Sequence, residues 1–342
     1  MTDVMTDPMT DVMTVAACLG YGAPEVVELR RVPMPTPKPA EILVRVLATT
    51  VASGDARVRA LRFPSGMRTA GRLAMGWGKP RQPVLGTELA GEVVKIGSQV
   101  TRFKVNDAVI AVTGVRFGAH AQYVSLREDS LVVDKPQTLS YPQAASIAFG
   151  GQTALWFLRD KGRIQPGQRI LINGASGAVG SAAVQLAKFF GARVTGACSH
   201  ANRAMVESLG ADEVIDYRIV DVTRPARKYD LVLDTAGQIP FSKWKNALVD
   251  GGCCLLVDAG LGSFASMIWT GIFRGKRAIA SVVPERIDNV RELLRIHALG
   301  GFTPIVGRVF SVDQIVDAHR YVDSGHKQGS AVVEMNSRAR DE

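Results

Sequence analysis

A glycine-rich segment near the middle of the chain constrains the fold more than any other feature. The apolar run at 169–173 is typical of a short buried strand, and the alanine-rich run at 181–190, followed by Gly191, is typical of a helix. Between them, Ala175, Gly177 and Gly180 are spaced as in the turn of a dinucleotide-binding βαβ unit, and 193–198 supplies the next strand. The segment therefore predicts a nucleotide-binding unit built on a parallel sheet.

Each small residue of this turn has an expected role. We expect Ala175 to permit a tight turn, Gly177 to let the backbone approach a diphosphate, and Gly180 to let helix and strand pack closely. The helix start adds free N–H groups and the positive end of the helix dipole. The predicted cofactor contacts of the turn are Ala175, Ser176, Gly177, Ala178, Val179 and Gly180.

Length, hydropathy and charge indicate the number of domains and the kinds of partner that this protein can have. The 342 residues suffice for two domains. No uninterrupted apolar run of about 18 residues occurs, so no membrane span is predicted. The net charge of +9 is spread along the chain without a recognisable nucleic-acid module. We therefore expect no nucleic-acid partner, and we attribute the charge to a basic surface that attracts a phosphate-rich cofactor.

The cysteines and the first residues bear on the compartment. The four cysteines form no CxxC pair, and the five histidines show no metal-ligand spacing. Free thiols of this kind indicate a reducing compartment, and we expect the protein to be cytoplasmic. Residues 1–14 repeat a Met-Thr-Asp pattern that is neither a secretory signal nor a transit peptide, so a disordered tail is expected there.

Three regions beyond this tail differ in pattern. Short strand-like runs separated by glycines and prolines occupy 15–139 and predict a β-barrel-like module. Strand and helix patterns alternate over 140–299, which predicts a doubly wound parallel sheet. The region 300–342 returns to a strand, a helix and a strand. These have no place in the parallel sheet, so we expect them to rejoin the first module.

Further local motifs accompany the glycine-rich turn, namely Gly86-Thr-Glu88, 90–97, 103–109, 118–123, Thr153-Ala154 and 158–167. Together they resemble the medium-chain dehydrogenase/reductase superfamily over nearly the whole chain from Val15 onward. The resemblance implies an α/β fold: a GroES-like β-barrel catalytic domain (15–139 and 300–342) joined to a Rossmann NADPH-binding domain with a doubly wound parallel sheet (140–299). It also implies a homodimer formed through the strand at 278–283.

The zinc-dependent branch of that superfamily has ligands that this chain lacks. Its catalytic cysteine, histidine and second cysteine match Ala52, Thr87 and Phe149. Methyl, hydroxyl and phenyl groups do not supply the thiolate, imidazole or carboxylate that zinc requires. No cysteine lies between Cys18 and Cys198 to form a structural zinc lobe. The chain therefore resembles the zinc-free branch, the quinone oxidoreductases and enoyl reductases, and no metal site is expected.

The expected cofactor is NADPH rather than NADH. NAD-specific units place an Asp or Glu at the end of the second strand, where this chain has Cys198. A missing acid removes repulsion against a 2′-phosphate. Residues that match the zinc-free relatives supply donors and a countercharge nearby, and they are Ser199, Arg203 and Tyr217. The alternative for Arg203 is a solvated helix residue without a ligand.

The resemblance also places residues around the nicotinamide and the substrate. Thr153 matches a threonine near the nicotinamide ring, and Thr87 replaces the zinc-binding histidine. Ser53 and Asp55 lie where relatives line the substrate site. The alternative for Asp55 is a structural cap or an ion pair with a neighbouring arginine, and Glu88 is expected to be structural. No side chain is identified as the proton donor.

Between Arg59 and Gly86 the chain is basic, with apolar residues between the cations. Three interpretations stay open: a lid that admits an apolar substrate with an anionic handle, an amphipathic helix packed on its own domain, and peripheral contact with an anionic membrane. The cations are Arg62, Arg68, Arg72, Lys79 and Arg81, and the apolar residues are Phe63, Met67, Leu73, Met75 and Trp77.

The sequence thus predicts an NADPH-dependent, zinc-independent reductase of quinones or of the activated C=C bonds of α,β-unsaturated carbonyls. One alternative is a trans-2-enoyl-thioester reductase. The alternative from another class is an NADPH-binding structural or regulatory protein without turnover.

The assignment of Arg203 is testable by charge reversal. We expect Arg203→Glu to weaken NADPH binding by roughly 1.5–3 kcal/mol, about tenfold or more, because a charge-assisted hydrogen bond to the 2′-phosphate is lost. NADH has no such phosphate, so its affinity should hardly change and serves as the control. An unchanged NADPH affinity by calorimetry would show that Arg203 is only a solvated helix residue.

Overall fold

The computed structural model of the chain describes residues 12–62, 68–258, 267 and 275–335. Residues 1–11 of the expected tail, and Phe63 and Met67 of the basic stretch, lie outside the described residues. None of the helices in the described ranges has the length and apolarity of a membrane span.

Strands predominate before residue 140, and strands and helices alternate along most of the chain from residue 169 onward. The strands are β1 (Val12–Cys18), β2 (Val27–Pro33), β3 (Glu41–Val51), β4 (Glu88–Ile96), β5 (Ala108–Val112), β6 (Tyr123–Arg127), β7 (Val132–Asp134), β8 (Arg169–Asn173), β9 (Arg193–Cys198), β10 (Glu213–Asp216), β11 (Tyr229–Asp234), β12 (Leu248–Leu256), β13 (Arg277–Ala280), β14 (Val306–Ser311) and β15 (Ser330–Glu334). The α-helices are α1 (Ser53–Arg59), α2 (Arg68–Met75), α3 (Tyr141–Ala145), α4 (Ala148–Leu155), α5 (Ala178–Phe189), α6 (Arg203–Ser208), α7 (Phe241–Trp244), α8 (Ile287–Ala298) and α9 (Ile315–Asp323).

A mixed sheet of seven strands forms the β-rich part of the molecule. Its order is β14-β15-β3-β4-β5-β7, and β6 also pairs with β3. Along β3 the side chains of Ile42, Val44 and Val46 are fully buried in the apolar core of this part. The first two strands of the chain, β1 and β2, form a separate antiparallel pair.

A parallel sheet of six strands in the order β10-β9-β8-β11-β12-β13 forms the second part. Its central strand β8 buries Ile170, Leu171 and Ile172 completely, because helices cover both faces of a doubly wound sheet. α5 and α4 pack together beside β8 within one apolar core. The predicted fold class, a GroES-like β-module with a Rossmann-type parallel sheet, is confirmed.

The C-terminal strands belong to the seven-stranded sheet. β15 runs antiparallel to β3, with Ala331 opposite Val51, and parallel to β14. An isolated bridge then joins Gly177 of the glycine-rich turn to Gly329, just before β15. The two sheets therefore meet at the turn around which the parallel sheet is organised.

Several expected boundaries are wrong. β1 begins at Val12, where it pairs with Pro33, so residues 12–14 are part of a strand rather than of a disordered tail. α5 begins at Ala178 rather than at 181, because Gly177, in an extended conformation, is already its N-cap. The strand expected at 278–283 ends at Ala280. Such end effects depend on tertiary pairing that local patterns do not carry.

Candidate active site

A cleft of about 600 Å³ lies between the two sheets. The seven-stranded side contributes α1 and the segment before β15. The parallel-sheet side contributes the glycine-rich turn, the loop after β11 and the residue Asp258 after β12. Its lining residues include Ser53, Arg57, Phe149, Ser176, Gly177, Ala178, Val179, Thr235, Gly237, Asp258 and Lys327.

The glycine-rich turn presents backbone to this cleft. At Gly177 a methyl group would have only the Gly174 carbonyl oxygen nearby, at 3.6 Å, so its small size leaves space on the cleft side rather than serving packing. At Gly180 a methyl group would overlap that same oxygen and lie 2.8 Å from the Cα of Ala175. The contrast places Gly180 at the close contact between helix and strand and Gly177 at the face open to a ligand.

The residue that permits the tight turn is Gly174, not Ala175 as expected. Gly174 has φ +78°, a backbone conformation that favours glycine, and a methyl group there would lie 2.5 Å from Thr235 Oγ1. Ala175 is instead fully buried, and its N–H donates to the carbonyl of Ala197 at 3.0 Å. The spacing of small residues in the motif begins at Ala175, so the sequence placed the tight turn one residue after Gly174.

The segment before β15 docks onto this turn. The Gly329 N–H donates to the Ser176 carbonyl at 2.8 Å. The buried Asn202 connects the two sides, since its amide donates to Ser176 Oγ at 2.9 Å and its carbonyl oxygen accepts from Gln328 at 2.8 Å. These bonds fix the turn, the end of β9 and the C-terminal segment relative to one another.

Lys327 of this segment lines the cleft together with Ala178 and Val179 at the start of α5. Its ammonium donates to the Gly329 carbonyl at 3.1 Å, and no ion pair of Lys327 occurs among the described residues. Burial lowers the pKa of Lys327 to about 8, partly opposed by the negative charge of Glu88. An ammonium and a helix N-terminus facing one cavity are both positive, so the arrangement favours an anion between them.

The three residues expected at the 2′-phosphate follow the ends of two neighbouring strands. Asp216 of β10 lies opposite Cys198 of β9, so Ser199 and Tyr217 continue from paired positions at one edge of the sheet. Ser199 is buried and Tyr217 is exposed. Arg203 starts α6, and its guanidinium forms an exposed ion pair with Glu207 at 2.8 Å. None of the three lines the cleft itself.

On the other side of the cleft, α1 presents Ser53 to the cavity but turns Asp55 away from it. Asp55 is fully buried, and its two carboxylate oxygens accept from the N–H groups of Ala52 at 2.8 Å and Gly86 at 2.9 Å. Burial raises the pKa of Asp55, and these two hydrogen bonds oppose that rise. The geometry favours the alternative role of Asp55, a structural cap, without an ion pair to the neighbouring arginines.

Those arginines bind other carboxylates. Arg57 makes a two-point ion pair with Asp258 across the cleft, with N–O distances of 2.9 and 2.6 Å. The fully buried Arg59 donates to Asp323 at the end of α9. Arg57 and Asp258 therefore join the two sides of the cleft at its rim.

Glu88 and Thr153 both form hydrogen bonds to the backbone of Phe149. Glu88 accepts from Thr50 Oγ1 at 2.6 Å and from the Phe149 N–H at 2.7 Å, and burial raises the pKa of Glu88 to about 7. Thr153 is buried and donates to the Phe149 carbonyl at 2.7 Å. Glu88 thus has the structural role expected of it, because it holds the start of α4, the helix that carries Phe149 and Thr153.

The side chains at the zinc-ligand positions of the superfamily do not fit a zinc ion. Ala52 and Phe149 offer hydrocarbon only, and the buried hydroxyl of Thr87 has no hydrogen-bond partner among the described residues. Thr87 also does not line the cleft. Nowhere in the described ranges do three or more His, Cys, Asp or Glu side chains gather to hold a metal.

Sequence reasoning missed Lys327, Asn202, Gln328 and Asp258. Their positions depend on long-range contacts, such as the hydrogen bond between Asn202 and Gln328, which are 126 positions apart. One local signal was present. Gly325 and Gly329 enclose a short basic loop directly before a strand, and both have positive φ.

Comparison with known proteins agrees with this architecture. Residues 38–137 match the alcohol dehydrogenase GroES-like domain, and residues 209–333 match the zinc-binding dehydrogenase family. The 2-methylene-furan-3-one reductase of Solanum lycopersicum is 30% identical over 92% of this chain and 76% of that protein. The chain belongs to the medium-chain dehydrogenase/reductase superfamily, in the quinone oxidoreductase branch, and is an oxidoreductase of that type.

Two further relatives cover nearly all of the chain. The chloroplast envelope quinone oxidoreductase homolog of Arabidopsis thaliana is 29% identical over 89% of this chain and 92% of that protein. The structure of the quinone oxidoreductase from Coxiella burnetii aligns with a TM-score of 0.83 and 26% identity, over 95% of this chain and all of that one (100%).

The two glycines of the turn give a matched pair of variants. Gly180→Ala should lower the free energy of unfolding by about 1–3 kcal/mol, because its methyl group overlaps the backbone of the turn. Gly177→Ala should leave the melting temperature almost unchanged but weaken nicotinamide-cofactor binding, because its methyl group points into the cleft. Thermal unfolding and calorimetric titration separate the two effects. Equal losses of stability in both variants would contradict the assignment of Gly177 to a ligand.

Proposed function

We propose that the protein is an NADPH-dependent, zinc-independent reductase of quinones or of the activated C=C bonds of α,β-unsaturated carbonyls. The observation that carries the proposal is the cleft itself. A glycine-rich turn with room for a diphosphate and a lysine line one cavity, while the zinc-ligand positions hold alanine, threonine and phenylalanine. The names of the relatives, quinone oxidoreductases and a furanone reductase, support the substrate class.

The cofactor would be held by residues from both sheets. The N–H groups at the start of α5 and the Lys327 ammonium would bind the diphosphate, since both supply positive charge to one cavity. Ser199, Arg203 and Tyr217 would bind the 2′-phosphate at the adjoining edge of the parallel sheet. The absence of an acid after β9 supports NADPH over NADH, because a carboxylate there would repel the phosphate.

The chemistry would take place between α1 and α4. NADPH, when bound, supplies a hydride, and reduction of an enone then requires stabilisation of an enolate oxygen and a proton at the α-carbon. Ser53 is the hydroxyl that α1 presents to the cavity, so we assign it to the substrate oxygen. Phe149 closes the same cavity with an apolar ring, and Thr153 holds the backbone behind it. Thr87 and Asp55 support this wall rather than touch the substrate.

Assembly and compartment complete the proposal. β13 is an edge strand of the parallel sheet, and a homodimer would extend the sheet through it. All four cysteines are buried free thiols, which supports a reducing compartment such as the cytoplasm.

A panel of acceptors tests the activity. NADPH oxidation should be catalysed with quinones or enones and should survive dialysis against a chelator, because no step needs a metal. Turnover of enoyl thioesters alone would favour the enoyl-thioester reductase. NADPH binding without turnover of any acceptor would favour a structural or regulatory protein. A chelator-sensitive oxidation of secondary alcohols would contradict the proposal.

The pH dependence of NADPH affinity tests the role of Lys327. Below pH 8 the ammonium is already charged in the free protein, whereas above it each binding event must take up a proton. The affinity should therefore fall as the pH rises through about 8 and level off about tenfold lower, once the lysine stays neutral in the complex. Lys327→Gln should bind about tenfold more weakly at pH 7 and lose this dependence.

The control is Lys228→Gln, which removes an exposed lysine outside the cleft. This variant should keep both the wild-type affinity and its pH dependence. A pH profile in Lys327→Gln that matches the wild type would show that Lys327 does not contact the cofactor.

A further inference from the structure

The basic stretch after α1 carries an exposed surface that the proposed reaction does not use. Three large apolar side chains lie at this surface: Leu19 is 41% exposed, Leu73 60% and Trp77 67%. Arg72, Lys79 and Arg81 are exposed beside them. We call these six residues the basic-apolar patch; they are Leu19, Arg72, Leu73, Trp77, Lys79 and Arg81.

The backbone beneath the patch is held by specific hydrogen bonds. Tyr21 Oη donates to the Gly76 carbonyl at 2.9 Å, and the Arg81 N–H donates to the Met75 carbonyl at 2.7 Å. Met75 packs on the small apolar cluster that contains Cys18, Val58 and Leu85. The exposed Trp77 therefore lies in a loop whose backbone is held by hydrogen bonds.

The side chains of the patch also stay together. The Arg72 guanidinium lies 6.0 Å from the centre of the Trp77 ring, within the range of a cation–π contact. Leu19, Trp77, Lys79 and Arg81 line one shallow depression. Leu19, Arg72, Trp77, Lys79 and Arg81 thus form one surface, and the exposed Leu73 follows Arg72 on the same helix.

The charge of this region is of one sign. No aspartate or glutamate occurs between Asp55 and Glu88, although the chain has 32 acidic residues in total. Elsewhere on the surface, arginines pair with carboxylates close in sequence, as Arg291 does with Asp288 and Arg295 with Glu292. Within the described part of the chain the cations of the patch form no ion pair, so the field of the patch attracts an anionic surface.

We propose that the basic-apolar patch docks the protein on the surface of an anionic lipid bilayer. Leucine and tryptophan at the tip of a basic surface suit the boundary between headgroups and acyl chains, where the apolar groups insert and the cations remain at the headgroups. A purely electrostatic partner such as a nucleic acid would leave Leu73 and Leu19 without a role.

Vesicle co-sedimentation of the whole protein tests the proposal. The protein should bind vesicles of phosphatidylcholine mixed with phosphatidylglycerol and bind pure phosphatidylcholine vesicles much more weakly. Binding should fall with added salt, because the attraction is screened. Each cation near an anionic bilayer is worth about fivefold in affinity, so the triple variant R72E/K79E/R81E should lose about a hundredfold or more. Leu73→Ser with Trp77→Ser should lose binding even at low salt.

Two controls match the patch in chemistry. Arg291→Glu reverses an exposed arginine of α8, and Leu299→Ser removes a leucine that is 62% exposed just after that helix. Both should bind vesicles like the wild type. Lipids brominated in their acyl chains should quench fluorescence in the wild type and not in Trp77→Phe. Melting temperature and turnover of a water-soluble acceptor should be unchanged in the patch variants, which separates vesicle binding from the proposed reaction.

Several results would overturn the proposal. One is a wild-type protein that does not sediment with anionic vesicles at low salt. Another is vesicle binding that the patch variants retain. A third is vesicle binding that the triple charge variant loses but the Leu73 and Trp77 double variant keeps, since this indicates a purely electrostatic attraction in which no apolar side chain inserts into the bilayer.

Discussion

The contact between the C-terminal segment and the glycine-rich turn is the interaction on which the rest of the structure depends. A hydrogen bond of 2.8 Å from the Gly329 N–H to the Ser176 carbonyl joins the two sheets. Ser176 lies in the turn between β8 and α5. Gly329 has φ +47°, and a methyl group there would overlap the Ile305 carbonyl, so a larger residue would strain this junction. Without this junction, the cleft would lose one wall, and Lys327 would no longer line the same cavity as the start of α5.

Two different kinds of charge shape the cleft. Asp55 and Glu88 are buried carboxylates whose oxygens are occupied by backbone and hydroxyl donors, so they fix α1 and α4 as rigid walls. Arg57 and Lys327 instead face the cavity, and Arg57 alone of the two has a carboxylate partner among the described residues. The positive charge left over in the cavity is what suits the proposed site to a phosphate-bearing cofactor.

The sequence predicts those features that local patterns encode. The run at 169–173 and the small residues after it determine a strand and a close helix contact within a few positions, and both occur as expected. The residues that the pattern did not reveal act over long separations. Asn202 reaches Ser176 from the end of β9, and Gln328 meets Asn202 because β15 returns to β3. Local spacing also misassigned the tight turn to Ala175, since positive φ at Gly174 is a property of the folded backbone.

The most direct test of the account is a crystal structure of the protein with NADPH bound, recorded with anomalous data at the zinc edge. The diphosphate should bind the N–H groups of Ala178 and Val179 and the Lys327 ammonium, and the 2′-phosphate should lie between Ser199 and Tyr217. No anomalous peak should occur near Thr87. A zinc ion bound between the two sheets, or a 2′-phosphate directed away from Ser199, would contradict the account.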